Sequence, residues 1–166
     1  QIVKTKFNNL RNNKLLDMKQ FQHLDFVKKY SCTFFKTDGA QRFLAIVVGF
    51  IMCDGNIGKR QTNVSFFLRR KSDAQLFVKD FQDNFPLEKL RIRLSSQGGS
   101  YASSILNGAN AAKFFHQLGA PKGNKVLQPF LIPDWIYHGP DGIKKVFLST
   151  VIGNEGSAPS NNKWRI

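Results

Sequence analysis

Residues 41–56 read QRFLAIVVGFIMCDGN, an apolar stretch that ends in Asp54-Gly55. Its length and composition predict a buried helix over residues 41–53, and a glycine just past the last helical residue is typical of a helix C-terminus. The stretch contains Gly49 and is shorter than the ~18 apolar residues of a membrane span. We therefore expect the helix to be covered by protein and we expect no membrane partner.

The segments that follow this helix alternate between strand and helix patterns. Period-2 alternation predicts strands, turn residues separate them, and Pro86 ends the next helical pattern. In chain order we predict a hairpin over 56–70, a helix over 72–84, a hairpin from strands 89–94 and 101–106, and helices over 110–118 and 141–152. Helices mixed with antiparallel hairpins indicate the α+β fold class.

The chain is strongly basic, with 25 Lys and Arg against 11 Asp and Glu, a net charge of +14. Such an excess on a chain with enough apolar residues for a core favours a polyanionic partner such as nucleic acid. A basic surface without a partner is the alternative. The two cysteines, Cys32 and Cys53, cannot build a disulfide framework, so we expect an intracellular, reducing compartment.

Two predicted helices end in the same way, each with an acidic residue followed by glycine. The first ends at Asp54-Gly55 and the second at Glu155-Gly156, about a hundred residues later. This spacing suggests one repeat unit followed by the beginning of another.

The two helix ends resemble the nonapeptide motif of the LAGLIDADG homing endonuclease family. The first motif is VVGFIMCDG at 47–55, the second is LSTVIGNEG at 148–156, and the approach IPDWIYHGPDGIKKVF at 132–147 is similar to the family's linker. The resemblance covers roughly residues 41–166. It implies a LAGLIDADG-like αββαββα half with an antiparallel sheet saddle, plus the motif helix of a second half.

The resemblance also implies a division of the chain into three parts. Residues 1–40 are a basic N-terminal extension, 41–135 form the first half, and 136–166 are the linker and the start of an incomplete second half. The rest of that second half is then expected from another stretch of polypeptide or from a partner subunit.

In the family picture the motif helices cross closely and carry paired carboxylates at their ends. Asp54 and Glu155 are then the catalytic residues and the Mg²⁺ ligands, since adjacent carboxylates are costly unless a cation lies between them. Bound Mg²⁺ supports phosphodiester hydrolysis by activating water and stabilising the leaving oxygen. Gly49, Ser149 and Thr150 are the small residues that let the helices approach.

The family's sheet lies over nucleic acid, and the predicted strands of this chain carry cations. Long cationic side chains contact phosphates and arginine reads guanine edges, whereas a solvated face is the alternative. The predicted nucleic-acid-binding residues are Lys59, Arg60, Gln61, Asn63, Ser65, Arg69, Arg70, Lys89, Arg91 and Arg93. Phe67 shares the polar face of its strand, unlike the other phenylalanines, which the pattern places in the core.

Two functions follow from the resemblance. The first is a site-specific, Mg²⁺-dependent homing endonuclease that cuts double-stranded DNA, encoded within an intron or intein and completed by a second half. The second is a non-catalytic RNA-binding derivative, such as an intron maturase or a ribosome-associated protein. Abundant Asn, Lys and Phe indicate an A/T-rich coding genome and so suggest an organelle, a mitochondrion or chloroplast.

Overall fold

A computed structural model describes residues 14–96, 98–127, 129, 131–155, 157–160 and 163–165. For residue 155 and the two segments after it, only the backbone is described. The α-helices are α1 (Asp25–Tyr30), α2 (Asp38–Met52), α3 (Lys71–Asn84), α4 (Ala109–Gln117), α5 (Asp134–Tyr137) and α6 (Asp141–Glu155). The strands are β1 (Gly55–Ile57), β2 (Val64–Leu68), β3 (Leu90–Leu94), β4 (Tyr101–Ile105), β5 (Ser157–Ser160) and β6 (Lys163–Arg165). Short 3-10 helices occupy Met18–Phe21, Phe34–Lys36 and Lys125–Leu127.

Strands β1 to β4 form one antiparallel sheet in the order β1-β2-β4-β3. Both predicted hairpins are confirmed, because β1 pairs with β2 and β3 pairs with β4. The α+β class is confirmed as well. From α2 to α4 the order is helix, two strands, helix, two strands, helix. A separate pair, β5 and β6, follows α6.

One face of the four-stranded sheet is covered by α2 and α3, and Phe66 lies at its centre. The Phe66 ring is 5.6 Å from the Phe50 ring of α2 and 4.6 Å from the Phe77 ring of α3, measured between centroids. Because side chains alternate along a strand, Ser65 and Phe67 on either side of Phe66 point to the opposite face. That opposite face is the one available to a partner.

The N-terminal segment is part of the same core. Met18, Phe26 and Phe35 are fully buried within the cluster that also contains the sheet residues. The Phe26 ring stacks on Phe114 of α4 at 4.9 Å. The boundary predicted at residue 40 therefore falls inside a single core, and residues 14–40 do not form a separate extension. Residues 1–13 lie outside the described residues.

A buried glutamine fastens this segment to α2. Gln41 Oε1 accepts from Leu16 N at 2.6 Å, while its Nε2 donates to Leu16 O at 2.9 Å and to Phe35 O at 3.0 Å. A buried amide is stable when it is paired in this way. The basic composition of residues 1–40 does not indicate this packing, because only a few large apolar residues of the segment contact the core.

A second polar contact fastens α1 to the sheet edge. The carboxylate of buried Glu88 accepts from Lys29 Nζ at 2.8 Å, and Tyr30 Oη lies 3.4 Å away. Tyr30 Oη also accepts from Leu87 N at 3.1 Å. Burial, together with the Glu88 charge, raises the pKa of Tyr30 well above its ordinary range, so this hydroxyl stays neutral.

Helix α2 begins earlier than the sequence predicts. Thr37 is its N-cap, accepting from Ala40 N at 3.2 Å, so Asp38 and Gly39 form the first helical turn instead of a loop turn. Within the described residues, no helix is long and apolar enough to cross a membrane.

Candidate functional site

Helices α2 and α6 pack against each other at Gly49. A Cβ atom built on Gly49 would lie 3.3 Å from Phe147 Cδ2 and 3.4 Å from both Cβ and Cγ2 of Thr150. Two of the three residues predicted for this interface, Gly49 and Thr150, thus face each other, while Ser149 is exposed. The missing side chain at Gly49 is what allows the close approach.

This packing brings the two motif helices to one side of the sheet. Asp54 follows the last turn of α2 and is exposed, and its carbonyl oxygen accepts from Phe67 N on β2 at 2.9 Å. Glu155 is the last residue of α6, and its side chain lies outside the described part of the structure. The fold therefore places each predicted catalytic residue at the C-terminal end of one of two packed helices.

A lysine that the sequence analysis missed binds the end of α2. Lys125 Nζ donates to the carbonyl oxygens of Ile51 at 3.0 Å, Met52 at 3.2 Å, Gly55 at 2.8 Å, and also Cys53. The last carbonyls of a helix lack partners within it and carry the negative end of its dipole. The ammonium satisfies them and puts a positive charge beside the turn that carries Asp54.

The connector that supplies Lys125 is also tied to the sheet. Gly123 N donates to Ile57 O of β1 at 2.7 Å, and Gly123 adopts φ 72°, which favours glycine. Further along, Trp135 Nε1 donates to Leu118 O at 2.8 Å, which anchors the connector. These two hydrogen bonds fix the position of the connector that brings Lys125 to the end of α2.

The open face of the sheet carries a polar row with one residue from each strand. The register pairs Asn56 with Ser65, Ser65 with Ser104 and Ser104 with Arg91. The Ser65 and Ser104 hydroxyl oxygens are 2.8 Å apart, and Arg91 is exposed at the edge of the row. Asn56 and Ser104 were not predicted, because the register between strands cannot be read from one strand's own pattern.

A second row on the same face combines apolar and cationic groups. Phe67 pairs with Ala102, and Ala102 pairs with Arg93. Arg93 is exposed, while Phe67 and Ala102 are half-buried. This row lies two residues along the strands from the polar row, about 7 Å away.

The other predicted binding residues surround this face. Lys59, Arg60, Gln61 and Asn63 lie in the turn between β1 and β2, Arg69 and Arg70 follow β2, and Lys89 precedes β3. All of them are exposed except Gln61, which is half-buried with φ 54°.

Charge is segregated between the sheet and the helices. Residues 55–70 and 89–105 together contain seven Lys and Arg and no Asp or Glu. The ion pairs found in the described ranges all lie outside these two stretches, for example Arg42 with Asp38 at 2.6 Å and Lys79 with Asp83 at 2.7 Å. Among the described residues, the sheet cations thus have no acidic partner in an ion pair, as expected of a surface for a polyanion.

The described residues contain no group of three or more His, Cys, Asp or Glu side chains placed to hold a metal ion. Among the described side chains at the ends of α2 and α6, the acidic one is Asp54. Cys32 and Cys53 are free, half-buried thiols.

The chain is similar to parts of two kinds of nucleic-acid-processing protein, while no family model matches it. It is 29% identical over 127 residues to the tRNA-splicing ligase RtcB of Methanopyrus kandleri and 26% identical over 126 residues to that of Pyrococcus furiosus. It is also 27% identical over 136 residues to the replication factor C small subunit of Methanocaldococcus jannaschii. The matches cover 69% of this chain for each ligase and 74% for the replication factor. The matched stretch spans only 13% of each ligase and 7% of the replication factor.

Proposed function

We propose that this chain is part of a LAGLIDADG-type, site-specific endonuclease that hydrolyses phosphodiester bonds of double-stranded DNA with Mg²⁺. The observation that carries the proposal is the contact of Gly49 with Thr150. It joins two helices whose ends bear Asp54 and Glu155, and the Asp54 carbonyl oxygen accepts from Phe67 N of the sheet that carries the cations. A nuclease needs both parts, a charged surface to hold the duplex and acidic groups to hold the metal.

The relatives support an inserted module. Since 127 residues are 13% of one ligase, that protein is about 1,000 residues long, and the replication factor subunit, by the same reasoning, is about 1,900. A tRNA-splicing ligase and a replication factor subunit have different names and sizes, yet both contain a stretch similar to this chain. A segment shared in this way is expected of a mobile insert, and endonucleases encoded within introns or inteins are such inserts.

The sheet face fits duplex DNA. The major groove is about 12 Å wide and admits a two-stranded β-ribbon, and Arg91 and Arg93 are exposed on the edge strand β3. The turn cations Lys59 and Arg60 extend beyond the strands, where they can contact phosphates. Binding through seven cations is expected to weaken steeply as salt rises.

The helix ends fit Mg²⁺, which proteins commonly hold through one or two carboxylates together with substrate phosphates and waters. Asp54 is exposed and would hold the ion, with Glu155 as the second acid. When bound, the metal would lower the pKa of a water and neutralise charge on the phosphate. Lys125 fixes the carbonyls of the turn that carries Asp54, and its charge favours an anionic phosphate nearby.

The outer face of α6 supports a missing second half. Aligning Asp54 with Glu155 pairs Val47 with Leu148 and Ile51 with Ile152. Val47 and Ile51 are fully buried, whereas Leu148 is 48% and Ile152 46% exposed. Leu148 and Ile152 of α6 therefore lack the cover that the corresponding residues of α2 have. We propose that the second half, or a partner subunit, covers this face of α6.

The second candidate is an RNA-binding protein without catalysis, and the two relatives named as tRNA-splicing ligases favour it. The similarity to the replication factor subunit does not, because its name points to DNA replication. The retained acid at each helix end also favours the endonuclease.

The test uses the protein with its proposed second half present, either on the same polypeptide or as a partner subunit. Its substrate is a plasmid that carries the DNA flanking the chain's coding region, joined without that region. We expect a double-strand break with Mg²⁺ and none with EDTA, Asp54→Asn to abolish it, and Asp80→Asn, an exposed acid on α3, to leave it unchanged. Tight binding of structured RNA, with no cleavage of any duplex, would instead establish the second candidate.

A further inference from the structure

Phe67 is placed unlike the other phenylalanines. Every other phenylalanine among the described residues lies in the hydrophobic core cluster or packs against it, whereas Phe67 does neither. No aromatic ring contacts the Phe67 ring in the described part of the chain. Phe67 is thus a half-buried apolar side chain on a sheet face whose other described side chains are mostly polar or cationic, and it is available to an apolar group of a ligand.

The neighbours of Phe67 define a small apolar area on a charged face. Ala102 lies directly opposite Phe67 on β4, and Arg93 lies beyond Ala102 on β3. The hydroxyl pair of Ser65 and Ser104 borders the area along the strands. An apolar ligand group that fits here must therefore be small and must come attached to a polar, anionic molecule.

Base stacking on a single strand fits this arrangement poorly. Sheets that bind single strands by stacking present two or three aromatic side chains. On the open face of this sheet, the described residues include one aromatic ring, Phe67, because Tyr101 belongs to the covered face together with Leu68. One ring beside an alanine suits a contact with a methyl group better than a stack of bases.

We propose that Phe67 and Ala102 form a contact for the 5-methyl group of thymine in the major groove, with Arg93 placed to read a neighbouring guanine. The inference rests on the proposed duplex-DNA function and makes it more specific. The thymine methyl projects into the major groove and pairs with apolar side chains, while arginine binds guanine bidentately. RNA offers neither the methyl group nor an accessible major groove, so this contact selects DNA.

The experiment first selects duplexes from a pool with a randomised centre, in EDTA so that none is cut, using the protein with its proposed second half present. Each thymine of the selected duplex is then replaced by deoxyuridine, which removes a single methyl group. Burial of one methyl-sized group corresponds to about a fourfold change in affinity. We expect about that loss at one or two positions for the unaltered protein, and no loss at the same positions for Phe67→Ser.

Control variants separate this contact from the rest of the surface. Arg93→Gln should keep the sensitivity to methyl removal and lose a guanine preference next to the same positions. If Phe67→Ser proves unfolded in a thermal melt, Ala102→Ser takes its place, because it makes the area polar with little change in volume. Ala102→Ser should then reduce the loss of affinity on methyl removal. An unchanged sensitivity in a folded Phe67→Ser chain would overturn the inference.

The other outcomes identify which proposal fails. If duplexes are enriched but no thymine responds to methyl removal, the thymine contact is wrong and the duplex function stands. If single strands bind more tightly than duplexes and Phe67→Ser removes that binding, Phe67 is a stacking residue and the inference is wrong. If no duplex is enriched at all, the proposed function itself fails.

Discussion

Replacing Gly49 by alanine tests the close contact between the motif helices. The new Cβ would lie 3.3 Å from Phe147 Cδ2 and 3.4 Å from Thr150 Cβ and Cγ2, so one helix must move by a few tenths of an ångström. Overpacking of this kind costs about 1–3 kcal/mol, while alanine gains about 1 kcal/mol of helix propensity over glycine. The two effects oppose each other, so a matched control is needed.

Gly153→Ala is that control. Gly153 lies in α6, near its end, and a Cβ built there has no neighbour within 4 Å among the described residues. The Gly153→Ala variant therefore gains up to about 1 kcal/mol of helix propensity without a steric clash. We expect Gly49→Ala to be about 1–3 kcal/mol less stable than Gly153→Ala, measured by urea unfolding.

The same comparison can be made by thermal melting, where 1 kcal/mol corresponds to about 2–4 °C for a chain of this size. Adding Thr150→Ser to Gly49→Ala removes Cγ2 but keeps a hydroxyl for the bond that Thr150 Oγ1 donates to Val146 O at 2.8 Å. It should restore part of the loss. If Gly49→Ala proves as stable as Gly153→Ala, the helices do not approach at Gly49 and the reasoning fails.

Three further predictions concern the end of α2, the N-terminal segment and the charged turn of the sheet. Lys125→Met should lower the free energy of unfolding by about 1–3 kcal/mol, because it leaves partly buried carbonyls without their ammonium; an unchanged melting temperature would contradict this. Gln41→Leu should cost about 3 kcal/mol or more and expose residues 14–40 to proteolysis, whereas cleavage at the unaltered rate would show that the segment docks independently. Lys59→Ala should weaken binding to all duplexes alike and lower the slope of log affinity against log salt by about one, and an unchanged slope would place Lys59 off the phosphate path.

The sequence predicted those parts of the fold that depend on local patterns. Alternation along 64–68 and 90–94 identified strands of the sheet, and the apolar run ending at Asp54 identified α2. The start of α2 was missed, because Asp38-Gly39 has the composition of a turn while Thr37 caps the helix. Local pattern does not show which of two plausible structures the surrounding core selects.

The rest of the site depends on contacts between distant residues. Lys125 lies about 70 residues from the carbonyls it binds, in a Gly- and Pro-containing connector whose path no periodicity reveals. Asn56 and Ser104 join the polar row only through the strand register. The core role of residues 14–40 was hidden for the same reason, since Phe26 finds its partner Phe114 far along the chain.

The most direct test of the proposed catalytic centre measures conversion of supercoiled plasmid to linear DNA in the presence of Mg²⁺, using the protein with its proposed second half present. We expect a linear product for the unaltered protein. Asp54→Asn and Glu155→Gln should each abolish the linear product and still bind the duplex. Linear product formed at the unaltered rate by either variant would show that the ends of α2 and α6 are not the catalytic centre.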